Sequence, residues 1–140
     1  MKHTILLLLT LGLACFVRAG DDHDHGHSHA EIKVPATLAG VRAEIAAQQQ
    51  KLTETLAARD ATAAHAATDV LAACVRAIPG KTQNLDEATL QRVNGMANNA
   101  AKAWGQAAHE AEHGDYEKAQ REAVKAAASY RLLEARLPKE

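Results

Sequence analysis

The sequence predicts an all-α protein, and three observations support this fold class. Aromatic residues make up only 3% of the chain and alanine is abundant, a composition that favours helices over strands. Apolar residues recur at three- and four-residue steps in four successive stretches, which is the spacing of amphipathic helices. Prolines, only three in number, stand close to the ends of these stretches. A chain of 140 residues is long enough for one domain.

The first predicted element is a secretory signal peptide, residues 1–19. The basic start at Lys2 and His3 precedes an apolar run over residues 5–17 that is too short to span a bilayer. Small residues then predict cleavage after Ala19, so we expect a periplasmic or secreted protein with no membrane insertion of the mature chain. A lipid anchor at Cys15 is the less favoured alternative, because no large aliphatic residue stands three places before it.

The second element is a polar leader, residues 20–34, that carries alternating histidines. It has few apolar residues to bury, so we expect it to be disordered. In an extended chain every second side chain points the same way, so the imidazoles can converge on one ion. Imidazole suits Zn, Ni and Cu(II), and aspartates add hard oxygen ligands. The predicted ligands are the histidines His23, His25, His27 and His29, with Asp21, Asp22 and Asp24 as auxiliary groups.

Two other interpretations of the leader remain open. It could be a solvated, low-complexity spacer that meets metal only incidentally. If processing left Asp21 as the first residue, Asp21-Asp22-His23 would place a histidine third, and its imidazole with three chain nitrogens could hold Cu(II) or Ni(II) in a square plane.

Residues 35–138 are predicted to form an up-down-up-down four-helix bundle built from two αα-hairpins. The first helix opens at Pro35 and runs over residues 36–58, and the second ends near Ile78 before Pro79-Gly80. A loop over 81–85 leads to the third helix. The fourth follows a corner at residues 113–115 and ends at Leu137-Pro138. The predicted helix caps are Asp60, Asp86 and Asp115.

The apolar spacing also predicts which side of each helix faces the core. A buried cysteine usually acts as a small hydrophobe, which is the role we expect for Cys74. The stretch GDYEKA at 114–119 is also similar to tetratricopeptide repeats, but a single copy without their period of about 34 residues is weak evidence. The inward residues expected on the second helix are Ala63, Ala67, Val70, Cys74 and Ile78. Those expected on the fourth are Tyr116, Ala119, Ala123, Ala127, Tyr130 and Leu133.

The string HEAEH at 109–113 has the spacing of the zinc-protease signature H-E-x-x-H. On a helical wheel, however, His109 and His113 point away from the apolar stripe of their helix. The longer pattern of one class of zinc proteases needs glycine at 116 and a third histidine at 119, and this chain has Tyr116 and Ala119 there. We therefore expect no peptidase and no other enzyme. The pair is either a weak, exposed secondary metal site or a solvated helix face. His65 is predicted to lie at the same end of the bundle, which makes a shared three-histidine surface site conceivable.

Charge and cysteine content exclude several other functions. Removal of residues 1–19 takes away Lys2 and Arg18, which lowers Lys plus Arg from 16 to 14 against 17 acidic residues, a net charge of about −3. Such a chain has no electrostatic footprint for nucleic acid. No C-x-x-C-H motif is present for covalent haem, and we expect no haem. The single mature cysteine cannot form an internal disulfide, and a homodimer is left open.

Taken together, the leader HDHGHSH at 23–29, the proline-opened first helix at Pro35 and the aspartate corners at Asp60 and Asp115 resemble small exported helical proteins of bacterial heavy-metal efflux and resistance systems. The resemblance implies a periplasmic metal-binding accessory protein that buffers ions or hands them to an efflux component. Copper carriers of such systems use methionine-rich motifs, whereas Met96 is the only mature methionine here. The alternative from a different class is a non-catalytic interaction module with the leader as a tether.

Overall fold

The computed structural model describes residues 32–137, and within them the chain folds into four helices with no strand. The all-α bundle is therefore confirmed. The predicted signal peptide and the leader histidines and aspartates lie outside the described residues. No helix in the described range is long and apolar enough to cross a membrane. The helices are α1 (Leu38–Ala57), α2 (Ala61–Lys81), α3 (Glu87–Glu112) and α4 (Tyr116–Glu134).

Each helix begins at a residue whose side-chain oxygen accepts a hydrogen bond from a backbone N–H of the first turn. The three predicted aspartate caps are confirmed: Asp60, Asp86 and Asp115 accept from the amide three residues later at 2.8–2.9 Å. The first helix begins two residues later than expected, because Thr37 caps it at 3.1 Å and Pro35 stays outside.

The predicted end of the second helix was wrong, because α2 continues through Pro79 and Gly80 to Lys81. Proline lacks an N–H, but in the last turn its loss affects one hydrogen bond only. Thr82 satisfies two carbonyls there: its hydroxyl donates to the Ile78 carbonyl at 2.9 Å and its amide to the Pro79 carbonyl at 3.4 Å. The Lys81 ammonium in turn donates to the Ala36 carbonyl, before α1, at 3.1 Å. The last contact also fixes the end of α2 beside the start of α1.

The two hairpin corners lie together at the other end of the bundle. Each turns through a left-handed residue directly before the capping aspartate, Arg59 at φ 57° and Gly114 at φ 80°. The Tyr116 hydroxyl donates to the Arg59 carbonyl at 2.8 Å, and the Arg59 guanidinium lies 6.0 Å from the centre of the Tyr116 ring. Successive helices therefore run in opposite directions, with the corners tied to each other.

Trp104 is the largest fully buried side chain, and its ring lies 5.9 Å from that of Tyr130. The predicted inward faces were partly wrong. On α2 the core side is rotated, so that Val70 and Ala63 are only half-buried. The buried residues there are Ala64, Ala67, Thr68, Leu71, Cys74, Val75, Ile78 and Pro79. On α4 the buried residues are Ala119, Ala126, Tyr130 and Leu133, whereas Tyr116, Ala123 and Ala127 are half-buried.

Candidate functional site

His109 and His113 lie on the outer surface of α3 and its C-cap, one helical turn apart. Both are exposed, as the helical wheel predicts, and their ring centres lie 4.5 Å apart in an edge-to-face arrangement. The rings therefore contact each other across the solvent-facing side. Between them, the Glu110 carboxylate is engaged by the Lys118 ammonium at 2.9 Å. That hydrogen bond raises the pKa of Lys118 and occupies the carboxylate that a zinc protease would use as its base.

His65 links α2 to α3 on the same side of the bundle. Its Nδ1 atom contacts the Glu112 carboxylate, and its Nε2 atom lies 3.4 Å from the Asp69 carboxylate. The imidazole is thus flanked by an acidic group at each ring nitrogen. Glu112 lies three residues after His109 and one before His113, so His65 lies at the same end of the bundle as this pair, as predicted, although the three histidines do not line one groove.

A surface groove of about 320 Å³ runs between α2 and α3 and collects four of these donors, His65, Asp69, His109 and Glu112. The ring of His113 points elsewhere, beside Arg59 in a second depression at the corner. In the groove the His65 imidazole contacts the Asp69 and Glu112 carboxylates. Within residues 32–137, no group of three or more His, Cys, Asp or Glu side chains is arranged to hold a metal ion. A metal ion that binds here would have to displace the contact between His65 and a carboxylate, and it would have to displace any proton on its ligands.

Cys74 lies fully buried in α2, which confirms the prediction that it packs as a small hydrophobe. Burial raises the pKa of its thiol, and the nearby Glu44 carboxylate adds to that effect. Because the thiolate is the metal-binding form, this cysteine is poorly suited to bind an ion. Met96 is only partly buried at the edge of the core.

A larger groove, of about 490 Å³, runs between α1 and α4, and sequence reasoning missed it. Its floor consists of Leu52, Leu56 and Trp104, and Arg131 stands at its edge. The half-buried alanines of α4 were assigned to the core because they follow the apolar spacing, whereas they line this opening. A signal was available in Val124, a large apolar residue outside the predicted stripe that is 70% exposed.

Polar side chains lie in and near the α1–α4 groove. The Nε2 atom of Gln49, which lines it, is buried without a hydrogen-bond partner. Beyond it, Arg42 Nε lies 3.5 Å from the Glu134 carboxylate, and the Tyr130 hydroxyl donates to the same carboxylate at 2.7 Å. Burial, followed by that hydrogen bond, raises the pKa of Tyr130 well above its usual range. The Arg42–Glu134 pair thus joins the start of α1 to the end of α4, outside the residues that line the groove.

Comparison with known proteins adds no functional assignment. No family model matches the chain, and no curated protein or solved structure matches it. A function for this chain therefore has to be inferred from its sequence, its fold and the chemistry of its side chains.

Proposed function

We propose that the protein is an exported accessory protein that reversibly binds divalent Zn, Ni or Cu ions through its leader. The observation that carries the proposal is the alternation of four histidines over seven residues, at His23, His25, His27 and His29. Two to four imidazoles on a short chain can surround one ion, and the aspartates Asp21, Asp22 and Asp24 add negative charge. In this proposal the chain buffers the metal or passes it to an efflux component.

The folded bundle would contribute a weaker, secondary site. His109 and His113 are exposed one turn apart, a spacing at which two imidazoles can share an ion. Two ligands alone bind weakly, so the leader should fill first. The proposal places the ions outside the packed core, where exchange with a partner needs no unfolding.

Calorimetric titration of the chain from Gly20 onward with Zn²⁺ and Ni²⁺ tests this proposal. We expect micromolar or tighter binding that is lost when the four leader histidines are replaced by asparagine. Affinity should also fall below about pH 6, because imidazole binds metal only in its neutral form.

The matched control is the His109→Asn, His113→Asn double variant, which removes imidazoles from the bundle and leaves the leader intact. We expect it to keep the tight site and to lose only weak additional binding. Unchanged heat and stoichiometry in the leader variant would contradict the proposal.

The protein is proposed to have no peptidase activity, despite the HEAEH string. The engagement of Glu110 by Lys118 and the absence of a third histidine at Ala119 in the longer protease pattern support this. Incubation with a mixture of unstructured peptides and Zn²⁺ should yield no cleavage. Hydrolysis that disappears in Glu110→Gln would refute this part of the proposal.

A second candidate function, a protein-interaction module with the leader as a tether, is favoured by one observation. Val124 is 70% exposed beside the α1–α4 groove, whose floor of Leu52, Leu56 and Trp104 is apolar, and contiguous apolar surface rather than a single residue is what marks contact sites. If the chain from Gly20 onward binds no metal in the titration above, this candidate gains and the metal proposal fails.

A further inference from the structure

The solvent-facing side of α4 carries a second stripe, distinct from its core face. Residues 117, 124 and 131 recur every seven residues, so they align along the helix within about 20° per step. Val124 at its centre is one of two large apolar side chains that are strongly exposed in the described residues. We name these five exposed residues the α4 seam: Glu117, Gln120, Val124, Ala128 and Arg131.

The α4 seam borders the open side of the bundle. Of all helix pairs that are neighbours in the bundle, α1 and α4 share the fewest contacts, and three seam residues line the groove between them: Gln120, Val124 and Arg131. The facing wall of α1 there carries no charged residue, consisting of Gln49, Thr53 and Ala57 beside the leucine floor. The groove lining is therefore uncharged apart from Arg131, while Arg121, whose side chain is 63% exposed, flanks the seam one turn before Val124.

The charges at the two ends of the seam are opposite in sign and equally distant from its centre. Glu117 and Arg131 lie seven residues on either side of Val124, about 10 Å along the helix axis. The side chain of Glu117 is 92% exposed and reaches Arg121 only at 4.0 Å. Arg131 makes no ion pair with any residue in the range 32–137.

We propose that two copies of the chain form a two-fold symmetric dimer by packing their α4 seams antiparallel, with Val124 on the axis. This register brings Glu117 against Arg131 of the partner subunit, and symmetry forms the pair twice. It also places Val124 against Val124 of the partner subunit, with the small Ala128 side chain allowing close approach.

The charges at the two ends of the α4 seam favour a second copy of the chain as the partner. They also favour the antiparallel orientation. A parallel pairing would bring Glu117 against Glu117 of the partner subunit and Arg131 against Arg131 of the partner subunit, which is repulsive. The antiparallel pairing alone converts both contacts into attractions. This inference is independent of metal binding, because no histidine takes part.

Sedimentation equilibrium of the chain from Gly20 onward, with a chelator present, tests the proposal. We expect a monomer–dimer equilibrium that Val124→Asp abolishes. Leu132→Asp is the matched control, since Leu132 is 64% exposed on the same helix but lies about 80° away from Val124. A wild-type chain that is monomeric at every concentration, or equal loss in both variants, would overturn the proposal.

A charge-swap cycle tests the register without altering the apolar contact. Glu117→Arg and Arg131→Glu should each weaken the dimer about tenfold, because each places two like-charge contacts in the interface. The double variant should restore wild-type association. Both sites are exposed, so circular dichroism should show unchanged folding. Failure of the double variant to restore association would overturn the antiparallel register.

Discussion

The α2–α3 contact and the α1–α4 contact are built from similar residues but pack differently. Between α2 and α3, Ala101 and Ala108 border the smaller groove of about 320 Å³ but are at most 4% exposed, and His65 reaches Glu112 from one helix to the other. Between α1 and α4, Ala123 and Ala127 line the larger groove of about 490 Å³ and are half-buried. Small side chains thus permit close packing without enforcing it.

Trp104 explains much of the difference. Its indole lies in the floor of the α1–α4 groove, packed against Tyr130, and it is the largest fully buried side chain of the described residues. A side chain of that volume under two helices keeps them apart, whereas α3 lines its groove with α2 through the small residues Ala101, Gly105 and Ala108 and through polar side chains. The groove is therefore a consequence of how the core is filled.

Trp104→Ala should cause the largest change in stability. Loss of a fully buried indole costs about 3–5 kcal/mol, and urea denaturation followed by far-UV circular dichroism measures it. Part of the cost should be recovered if α1 and α4 close over the vacated floor. A cost below about 1 kcal/mol would contradict the assignment of the indole as a main part of the core.

A matched pair of alanine substitutions tests the comparison itself. Ala101→Leu adds volume at a side chain that is only 1% exposed between α2 and α3 and should destabilise by about 1–3 kcal/mol. Ala127→Leu adds the same atoms in the open groove and should change stability by less than about 0.5 kcal/mol. Urea midpoints of both variants give the answer. Equal costs would mean that the two contacts are equally tight.

Loss of the contact between His65 and Glu112, which joins α2 to α3, should have a smaller effect. Glu112→Gln takes away the charge that faces His65, but the two side chains are 45% and 34% exposed, so water screens the interaction. We expect a loss of about 0–1 kcal/mol that vanishes in high salt. A loss above about 2 kcal/mol, independent of salt, would show that the pair is a main support of the contact.

The smallest expected effect is on the stability of the fold in acid, and it arises from Asp86, the residue that caps α3. Hydrogen bonds from the Thr89 amide and hydroxyl lower the pKa of Asp86 below its ordinary 3.8. Stability from this carboxylate is therefore present above pH 3.8 and is lost as the pH falls through the lowered value. Asp86→Asn keeps the acceptor but cannot titrate, so its Tm should fall less steeply with acid than that of wild type. Identical slopes would contradict this.

Much of the fold could be predicted because the residues that begin each helix act on the backbone of the next few residues only. An aspartate before an apolar helical stretch caps that helix whatever its neighbours are, so three caps were located from sequence. The core face of α2 was harder to place, because alanine occurs on several sides of it. Only Leu71 and Val75, which were not included in the predicted stripe, distinguish the correct rotation.

The site residues show the same limit. Exposure of His109 and His113 follows from helical spacing alone, and the approach of His65 follows from the topology. The pairing of His65 with Asp69 and Glu112, and the groove under Val124, depend on side-chain volumes at contacts between helices that are distant in sequence. No local pattern encodes those volumes, so these features emerge only in three dimensions.

The most direct test of metal binding by the leader is the order in which its histidines and those of the bundle respond to a paramagnetic ion. In NMR spectra of the chain from Gly20 onward, substoichiometric Cu²⁺ should broaden the signals of residues 21–29 first and leave those of the bundle intact. Broadening that begins instead around His65, His109 and Glu112, with the leader unaffected, would contradict the account.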